Sequence, residues 1–211
     1  MRKIVIALVC LLLTAGTVMA QKRFTFGPKV GIDLTHFWGS GTKLYDGNSV
    51  DYNCVKMNYQ VGLFAEYRVS NVFAVAPEVV FASQGGILKY LGVPDGIYRN
   101  TYNINYINVP VMLKFYVGKA ISIDFGPQVG FNVYSKSHGK WEDTDDEYKL
   151  KDLKKDTNTV DFGLGLGATY NITGDVFVQA RYTLGVTKVF NYEGEKPIKN
   201  GNAQIAIGYR F

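Results

Sequence analysis

Apolar and polar residues alternate along most of the chain beyond residue 24. In "DFGLGLGATY", residues 161–170, glycines occupy every second position from Gly163 to Gly167, and apolar residues fill the positions between them. A period of two residues is typical of a β-strand whose two faces meet different surroundings. The alternation predicts eight strands, over residues 24–35, 57–68, 72–84, 101–117, 121–134, 159–171, 175–188 and 202–211. Because no apolar stripe of helical period follows the N-terminal segment, the chain is predicted to be all-β.

The connections between the predicted strands alternate between short and long. Tight turns are predicted at residues 69–71, 118–120 and 172–174, and long loops at residues 36–56, 85–100, 135–158 and 189–201. An even number of strands, with short turns at one end and long loops at the other, is typical of a barrel in a bacterial outer membrane.

Each predicted strand has one face that is almost free of charge. The opposite face carries polar residues, glycines and ten charged residues, five basic and five acidic, which are Lys29, Asp33, Glu66, Arg68, Glu78, Lys114, Asp124, Asp161, Arg181 and Arg210. A soluble barrel would leave these charges outside and give the glycines nothing to accommodate, whereas in lipid the apolar face must point outward. We therefore predict an eight-stranded antiparallel up-and-down transmembrane β-barrel whose interior is plugged by paired charges. Gly163, Gly165 and Gly167 would then make room for long side chains from neighbouring strands.

Aromatic residues are predicted to form belts at the two membrane interfaces. Those expected near the turn end are Phe24, Phe26, Tyr67, Phe73, Phe115, Tyr170, Tyr209 and Phe211, and those expected nearer the loop end are Tyr59, Phe81, Tyr106 and Phe131. The terminal Phe211 resembles the signal that outer-membrane assembly machinery recognises. Four prolines fall inside predicted strands, and we expect β-bulges at each of them because proline cannot donate to the ladder: Pro28, Pro77, Pro110 and Pro127.

The first twenty residues have the order of a secretory signal peptide: Arg2 and Lys3, an apolar run over residues 4–13, and an A-x-A-like site ending at Ala20. We expect residues 1–20 to be removed and residues 21–211 to form one barrel domain in the outer membrane. The mature chain would keep 21 basic and 18 acidic residues, since Arg2 and Lys3 leave with the peptide. Because lysines and acids are interleaved over residues 136–155, a nucleic-acid partner is not expected. Cys54 would be the one remaining cysteine, so no internal disulfide is predicted.

Neither a cofactor nor a specific metal site is predicted. Asp143, Asp145 and Glu147 stand at positions 1, 3 and 5 of a calcium loop, but Tyr148 and Lys154 replace the glycine and the glutamate that an EF-hand requires. A weak cation site in the acidic loop 141–147 and a simply solvated loop both stay open. The glycines at 163, 165 and 167 lie within a strand, so they do not form a dinucleotide-binding turn.

Two further groups of residues bear on catalysis or metal binding. Ser135, Ser137 and His138 invite comparison with outer-membrane lipid hydrolases, but no orienting acid stands at a recognisable spacing. His36 and Cys54 fall in the same predicted loop, but no other feature of the sequence links them as a metal or thiolate site. We therefore expect no enzymatic activity.

The alternation continues beyond the predicted membrane belt on both sides of residues 93–96, through "GGILKYLG" and "IYRNTYNINYI". This predicts a hairpin that stands above the membrane, over residues 85–100. Its edges could add a strand from a partner protein, and a stiff loop without a ligand is the alternative.

Seven segments along the chain carry a family resemblance: "GPKVGIDLT", "APEVVFASQGG", "YINVPVMLKFYVG", "FGPQVGFNVYSK", "DFGLGLGATY", "QARYTLGVTKV" and "IGYRF". They resemble the outer-membrane β-barrel family that includes PorT-like proteins of Gram-negative bacteria. The resemblance covers nearly all of the mature chain and implies an eight-stranded barrel embedded in outer-membrane lipid, without catalytic residues. Three functions stay open: a structural or surface-interaction module, an accessory component of secretion or transport, and a lipid-modifying enzyme.

Overall fold

A computed structural model describes residues 23–39, 49–93, 96–141, 147–191 and 197–211. The expected signal peptide lies outside these residues. Within them, the chain forms eleven antiparallel strands: β1 (Phe24–Gly39), β2 (Ser49–Cys54), β3 (Lys56–Arg68), β4 (Phe73–Gln84), β5 (Ile87–Val93), β6 (Gly96–Val117), β7 (Ile121–Trp141), β8 (Glu147–Asp152), β9 (Val160–Asn171), β10 (Val176–Gly185) and β11 (Ile198–Tyr209). No helix in this part of the chain is long and apolar enough to cross a membrane.

Eight of the eleven strands close into a ring. Around it, β1, β3, β4, β6, β7, β9, β10 and β11 follow in chain order, and β11 pairs with β1 from Lys29↔Gly208 to Gly39↔Ile198. Each of the eight predicted strands corresponds to one strand of the ring. The predicted antiparallel up-and-down barrel is therefore confirmed.

Three short strands extend the sheet at the loop end of the ring. β2 pairs with β5, β5 pairs with β6, and β8 pairs with β7. We call this extension, made of β2, β5, residues 96–103 of β6, residues 135–141 of β7, and β8, the raised sheet. It explains why β6 and β7 run beyond their predicted bounds: their outer ends continue to pair with each other from Asn105↔Tyr134 to Tyr98↔Trp141.

The hairpin predicted over residues 85–100 is present as β5 and the start of β6, paired from Ile87↔Thr101 to Val93↔Gly96. Its tip at residues 94–95 lies outside the described residues. The expectation of exposed hairpin edges was wrong, because β2 covers the edge of β5 and β7 covers the edge of β6. Sequence patterning did not predict β2 or β8, which are only six residues long.

The two faces of the ring strands have the predicted contents. The apolar side chains of each ring strand point away from the barrel. In β11, for example, the exposed residues Ile205, Ile207 and Tyr209 alternate with the buried residues Gln204, Ala206 and Gly208. The aromatic residues predicted near the turn end lie on this outer face, and Phe26, Tyr209 and Phe211 are in ring contact there. An outward apolar face fits a barrel whose solvent is lipid.

Tyr106 is an exception to the predicted aromatic belt. It is 1% exposed and points into the barrel, because it shares the inward phase of β6 with Asn108 and Met112. The outward phase of the same strand carries Ile107 and Val111. Strict alternation therefore contradicts a belt position for Tyr106.

The β-bulges expected at the four prolines are absent from the ladders around them. The register is unchanged from Phe24↔Tyr67 to Thr35↔Lys56 past Pro28, from Ile121↔Tyr170 to Phe131↔Val160 past Pro127, and from Phe73↔Phe115 to Gln84↔Ile104 past Pro77. Each proline pairs with one neighbouring strand. Pro77, Pro110 and Pro127 face short gaps in their other ladders, with β3, β4 and β6, and Pro28 lies just before the β1–β11 ladder, which begins at Lys29↔Gly208. Because proline has no N–H donor, it interrupts the hydrogen bonds of one ladder. No extra residue is inserted, so the register does not shift as it would at a bulge. The bulge in the β6–β7 ladder lies instead at Asn105/Tyr106, where Val133 and Tyr134 of β7 are both exposed.

Candidate functional site

The charged residues predicted for the barrel interior form layers along its axis, and the layer nearest the turn end surrounds Glu66. Lys114 Nζ lies 3.1 Å from Glu66 Oε2, and Arg210 Nη2 lies 3.9 Å from the same oxygen. The Tyr116 hydroxyl donates to Glu66 Oε1. Arg68 lies at the rim, where its Nε is 3.4 Å from Glu66 and its guanidinium stacks 4.3 Å above the Tyr116 ring. One carboxylate therefore meets three cations at the turn end.

The middle layer is organised by Glu78. Arg181 donates to both carboxylate oxygens, at 3.0 Å from Nη1 and 2.7 Å from Nη2, and Lys29 Nζ donates to Oε2 at 2.5 Å. Lys29 also donates to Gln179 Oε1 at 3.1 Å. All four side chains are less than 5% exposed. A bidentate guanidinium and an ammonium on one buried carboxylate compensate a charge that would otherwise be very costly to bury.

The three interior aspartates are held mainly by neutral groups. Asp124 accepts from Ser122 Oγ at 2.7 Å and from Thr169 Oγ1 at 2.5 Å. Asp33 accepts from Gln60 Nε2 at 2.8 Å. Nearer the loop end, half-buried Asp161 accepts from Thr187 and, at 2.9 Å, from Asn200 Nδ2.

Among the described residues, the interior ion pairs thus converge on Glu66 and Glu78. The even count of five acids and five bases did not give five separate pairs. The hydrogen bonds that the aspartates accept come from amide and hydroxyl side chains, and Asp33 Oδ2 is a buried oxygen without a hydrogen-bond partner.

The glycine row of β9 lies against this interior. A Cβ at Gly165 would meet Arg181 Cδ at 3.4 Å and Met112 Cε at 3.3 Å, and one at Gly167 would approach Ala180 O to 2.4 Å. The row therefore makes room for the Arg181 side chain and for the close approach of β10. The inner face of β9 therefore carries glycine because larger side chains there would collide with neighbouring groups of the interior.

An apolar cluster, which we call the lid, covers the loop end of the interior. It consists of Phe37, Leu88, Tyr102, Ile104, Tyr106, Leu153, Val189 and Phe190. The rings of Phe37, Tyr102 and Phe190 pack edge to face, with centroids 5.0–5.8 Å apart. The loop at Gly85 and Gly86 closes over Phe37: a Cβ at Gly86 would lie 2.8 Å from its ring, and Gly85 has φ +101°.

Sequence reasoning missed the lid, although a signal for it was present. Phe37, Ile104 and Tyr106 stand in the inward phase of their strands, near the loop end, whereas the same phase carries Lys29 and Asp33 on β1 and Asn108 and Lys114 on β6. Apolar residues in a polar phase, gathered at one end of the barrel, indicate a second, local core.

The catalytic arrangement considered for the β7 segment is not formed. Ser135 and Ser137 are buried on the inner face, and Ser135 bonds with Asn132 and Thr157. His138 follows Ser137 directly on the strand, so its side chain leaves from the opposite face. Ser137 and His138 therefore do not make a nucleophile and base pair.

The described residues contain no cluster of three metal-ligating side chains. Asp143 and Asp145 lie outside the described residues, as does nearly all of the acidic loop 141–147. His36 contacts Tyr182 at the outer surface, and Cys54 lies on β2 opposite Ile87.

The outer face of the raised sheet carries basic residues at neighbouring register positions. Lys89 of β5 is opposite Arg99 of β6, and Arg99 is opposite Lys140 of β7. Nearer the barrel, Lys136 is opposite Asn103, whose Oδ1 accepts from Lys56 Nζ at 2.5 Å. We call Lys89, Arg99 and Lys140 the basic row.

A comparison with models of known protein families identifies the family of this chain. A model of the outer membrane protein beta-barrel domain matches residues 19–191. The chain belongs to this outer-membrane β-barrel family. It is accordingly an integral protein of the outer membrane, embedded in lipid through the exposed apolar face of the ring. No curated protein matches the sequence.

Two solved structures with similar folds are small outer-membrane barrels. Ail, the attachment invasion locus protein of Yersinia pestis, has 16% sequence identity and a TM-score of 0.50, with 90% of this chain and 99% of Ail covered. Neisserial surface protein A has 14% identity and a TM-score of 0.50, with 88% and 97% covered. A further structure of Ail contains the heparin analogue sucrose octasulfate, and it matches at 15% identity and a TM-score of 0.50, with 90% and 99% covered. At these identities the likeness is one of fold.

Proposed function

We propose that this outer-membrane barrel is a closed, non-enzymatic scaffold that displays the raised sheet as a surface-interaction module. The observation that carries the proposal is the raised sheet itself. Residues 96–103 of β6 lie beyond its last pairing with β4, at Gln84↔Ile104. At about 3.3 Å per residue, these residues extend roughly 25 Å along the strand before its tilt is considered.

The interior supports a closed scaffold. Glu66 and Glu78 fix long side chains of opposite charge across the barrel, and the lid covers the loop end. An eight-stranded barrel has room for side chains alone. We expect no single-channel steps when the refolded protein is placed in a planar bilayer.

The module is tested by removing part of the raised sheet. Residues 87–101 are replaced by Asn-Gly, a two-residue hairpin turn, since Gly86 O already accepts from Tyr102 N at 2.8 Å. Cells displaying either protein are compared for adhesion to surfaces coated with glycans and extracellular proteins. We expect the shortened protein to retain heat-modifiable migration on gels and to lose adhesion.

Equal adhesion by both proteins, or discrete conductance of the intact barrel, would contradict the proposal. An accessory role in secretion, as the resemblance to PorT-like proteins implies, predicts a different result. In that case, loss of the gene would reduce secreted proteins and the shortened barrel would restore them.

We also propose that Phe211 is read by the barrel-assembly machinery. Phe211 N donates to Phe26 O at 2.8 Å, and its ring is exposed at the turn end beside Tyr209. Phe211→Ala should lower the amount of folded barrel in the outer membrane. Phe115→Ala, another exposed aromatic of the same belt, is the control that should leave assembly unchanged.

A further inference from the structure

A groove runs along the lipid-facing surface where β11 lies between β1 and β10. Its floor is made of small residues. Ala203 is opposite Leu34 of β1 and Tyr182 of β10, and Ala180 lies one register level nearer the turn end. The large side chains around this floor are Ile32, Leu34, Met57, Leu166, Tyr182 and Ile205. The groove has a volume of about 460 Å³. We call it the seam groove, because it follows the pairing of the first and last strands.

The seam groove lies in the half of the barrel nearer the loop end. In the outward phase of β11, Gly201 and Ala203 come first, and larger residues follow toward the turn end, namely Ile205, Ile207 and Tyr209. Because the long loops of such barrels face the outside of the cell, the groove opens into the outer leaflet of the membrane. Acyl chains of that leaflet therefore lie beside it.

Two polar ring tips lie directly above the groove. The Tyr182 hydroxyl is 3.4 Å from His36 Nε2, and the two ring centroids are 6.2 Å apart. Both rings lie over Gly201, where a Cβ would come within 2.5 Å of His36 Cε1 and 3.1 Å of the Tyr182 hydroxyl. Glycine at this position lets the rings meet. A hydroxyl and an imidazole can each exchange hydrogen bonds with a ligand oxygen.

One cation lies above the two rings. Lys199 is the next outward residue of β11, and it is opposite Trp38 of β1. Its Nζ lies 4.8 Å from the centre of the Trp38 ring, and Trp38 Nε1 donates to Asn200 O at 2.9 Å. Lys199 takes part in none of the ion pairs among the described residues. The tryptophan ring therefore positions the ammonium group without neutralising its charge.

These three levels match the chemistry of an acylated and phosphorylated lipid, from its tail to its headgroup. Ala203 is four positions from Lys199, which is about 13 Å along the strand. Apolar walls bind a chain, ring tips bind the oxygens that link the chain to the headgroup, and an ammonium group binds a phosphate. We propose that the seam groove binds one acyl chain of outer-leaflet lipopolysaccharide, with His36 and Tyr182 at the linkage and Lys199 on a lipid phosphate. This site goes beyond the proposed surface-interaction role and uses no residue of the raised sheet.

Charge favours this lipid over a membrane-spanning protein as the occupant. A phosphate compensates the charge of Lys199, whereas the apolar surface of a second barrel would leave it uncompensated. The leaflet favours lipopolysaccharide over a phospholipid, because the groove and the cation both lie at the loop end.

Two variants of the full-length barrel probe the site. Ala203→Leu fills the floor of the groove, and Lys199→Gln removes the charge above it. Their matched controls are Ala65→Leu, at an outward position of β3 opposite Phe26, and Lys119→Gln, in the exposed turn before β7. Heat-modifiable migration on gels checks that each variant is folded.

Native mass spectrometry in an uncharged detergent measures the binding. The probe is lipid A, the acylated and phosphorylated anchor of lipopolysaccharide, and dephosphorylated lipid A and phosphatidylglycerol are titrated in parallel. We expect one saturable lipid A per wild-type barrel, bound more tightly than phosphatidylglycerol. Ala203→Leu should weaken both forms of lipid A by about tenfold or more, because the added methyl groups overfill the groove. Lys199→Gln should weaken lipid A by about tenfold and leave dephosphorylated lipid A unchanged, since it removes one charge-assisted contact.

Three results would overturn the site: no saturable binding of lipid A, equal weakening of both forms of lipid A by Lys199→Gln, or equal losses in the controls. Tighter binding of phosphatidylglycerol would overturn lipopolysaccharide as the ligand. If Ala203→Leu does not fold, the effect of Lys199→Gln on the two forms of lipid A decides alone. Adhesion should be unchanged in both variants, so the lipid site and the raised sheet fail in separate assays.

Discussion

Cations occur in two regions of this barrel, and their neighbours differ. In the interior, Lys29 and Arg181 meet on the carboxylate of Glu78. On the raised sheet, Arg99 stands between two lysines in the register. Inside the barrel little water or salt screens a charge, so each cation needs a compensating group close by. Above the membrane, interactions between exposed charges are screened within about 8 Å at physiological salt. Opposed charges therefore hold the barrel together, whereas on the raised sheet three basic residues stand side by side in register between Asp51 and Glu147.

The largest expected effect comes from removing the central interior acid. Glu78→Gln keeps the shape of the side chain but leaves Lys29 and Arg181 without their carboxylate, so the free energy of unfolding should fall by about 3–5 kcal/mol. Urea unfolding from lipid vesicles, followed by tryptophan fluorescence, measures it. Asp175→Asn, in the exposed turn before β10, is the matched control and should change little. Equal stability of the two variants would show that the interior ion pairs do not stabilise the barrel.

A smaller effect is expected at the lid. Phe37→Ala removes a ring that is 1% exposed and packs on Tyr102 and Phe190, so we expect a loss of about 3 kcal/mol. Phe131→Ala, on the lipid-facing surface, should cost less. Bilayer recordings of Phe37→Ala should still lack steps, because the Glu66 and Glu78 layers remain below the lid. Regular conductance steps would show that the lid alone closes the barrel.

The glycine row should respond according to what each Cβ would meet. Gly167→Ala places a methyl group against the backbone of Ala180 and should destabilise the barrel by about 1–3 kcal/mol. Gly165→Ala meets the flexible end of Met112 at 3.3 Å and Arg181 Cδ at 3.4 Å, without a backbone clash, and should cost less. Gly174→Ala, at a turn where nothing lies within 4 Å, is the control. If all three variants unfold at the same urea concentration, the close approach of β9 and β10 is not required.

The smallest effect on stability is expected at the basic row. Arg99→Gln removes a charge from a half-buried side chain that engages its neighbours, so the repulsion and the contacts that are lost should nearly cancel and the free energy of unfolding should change by no more than about 0.5 kcal/mol. The same urea assay measures it. A loss comparable to that of Glu78→Gln would mean that the two regions use their charges in the same way.

Much of the fold was predictable because strand phase is a local property. Alternation identified the ring strands, their two faces and the inward position of Arg181 and Glu78. The same rule, applied strictly, would have moved Tyr106 inward and pointed to the lid. The prolines were misread as bulges, because sequence alone does not show which of two neighbouring ladders a residue hydrogen-bonds with.

The sequence by itself determined which residues face lipid and which face the interior, since a period of two residues fixes this along each strand. Only the tertiary structure decided which side chains meet. Lys29 and Gln179 are 150 positions apart, and Arg181 and Glu78 are 103 apart. Their contacts depend on the stagger between strands around the closed ring. Stagger is set by the pairing of the whole sheet, so it cannot be read from any one strand.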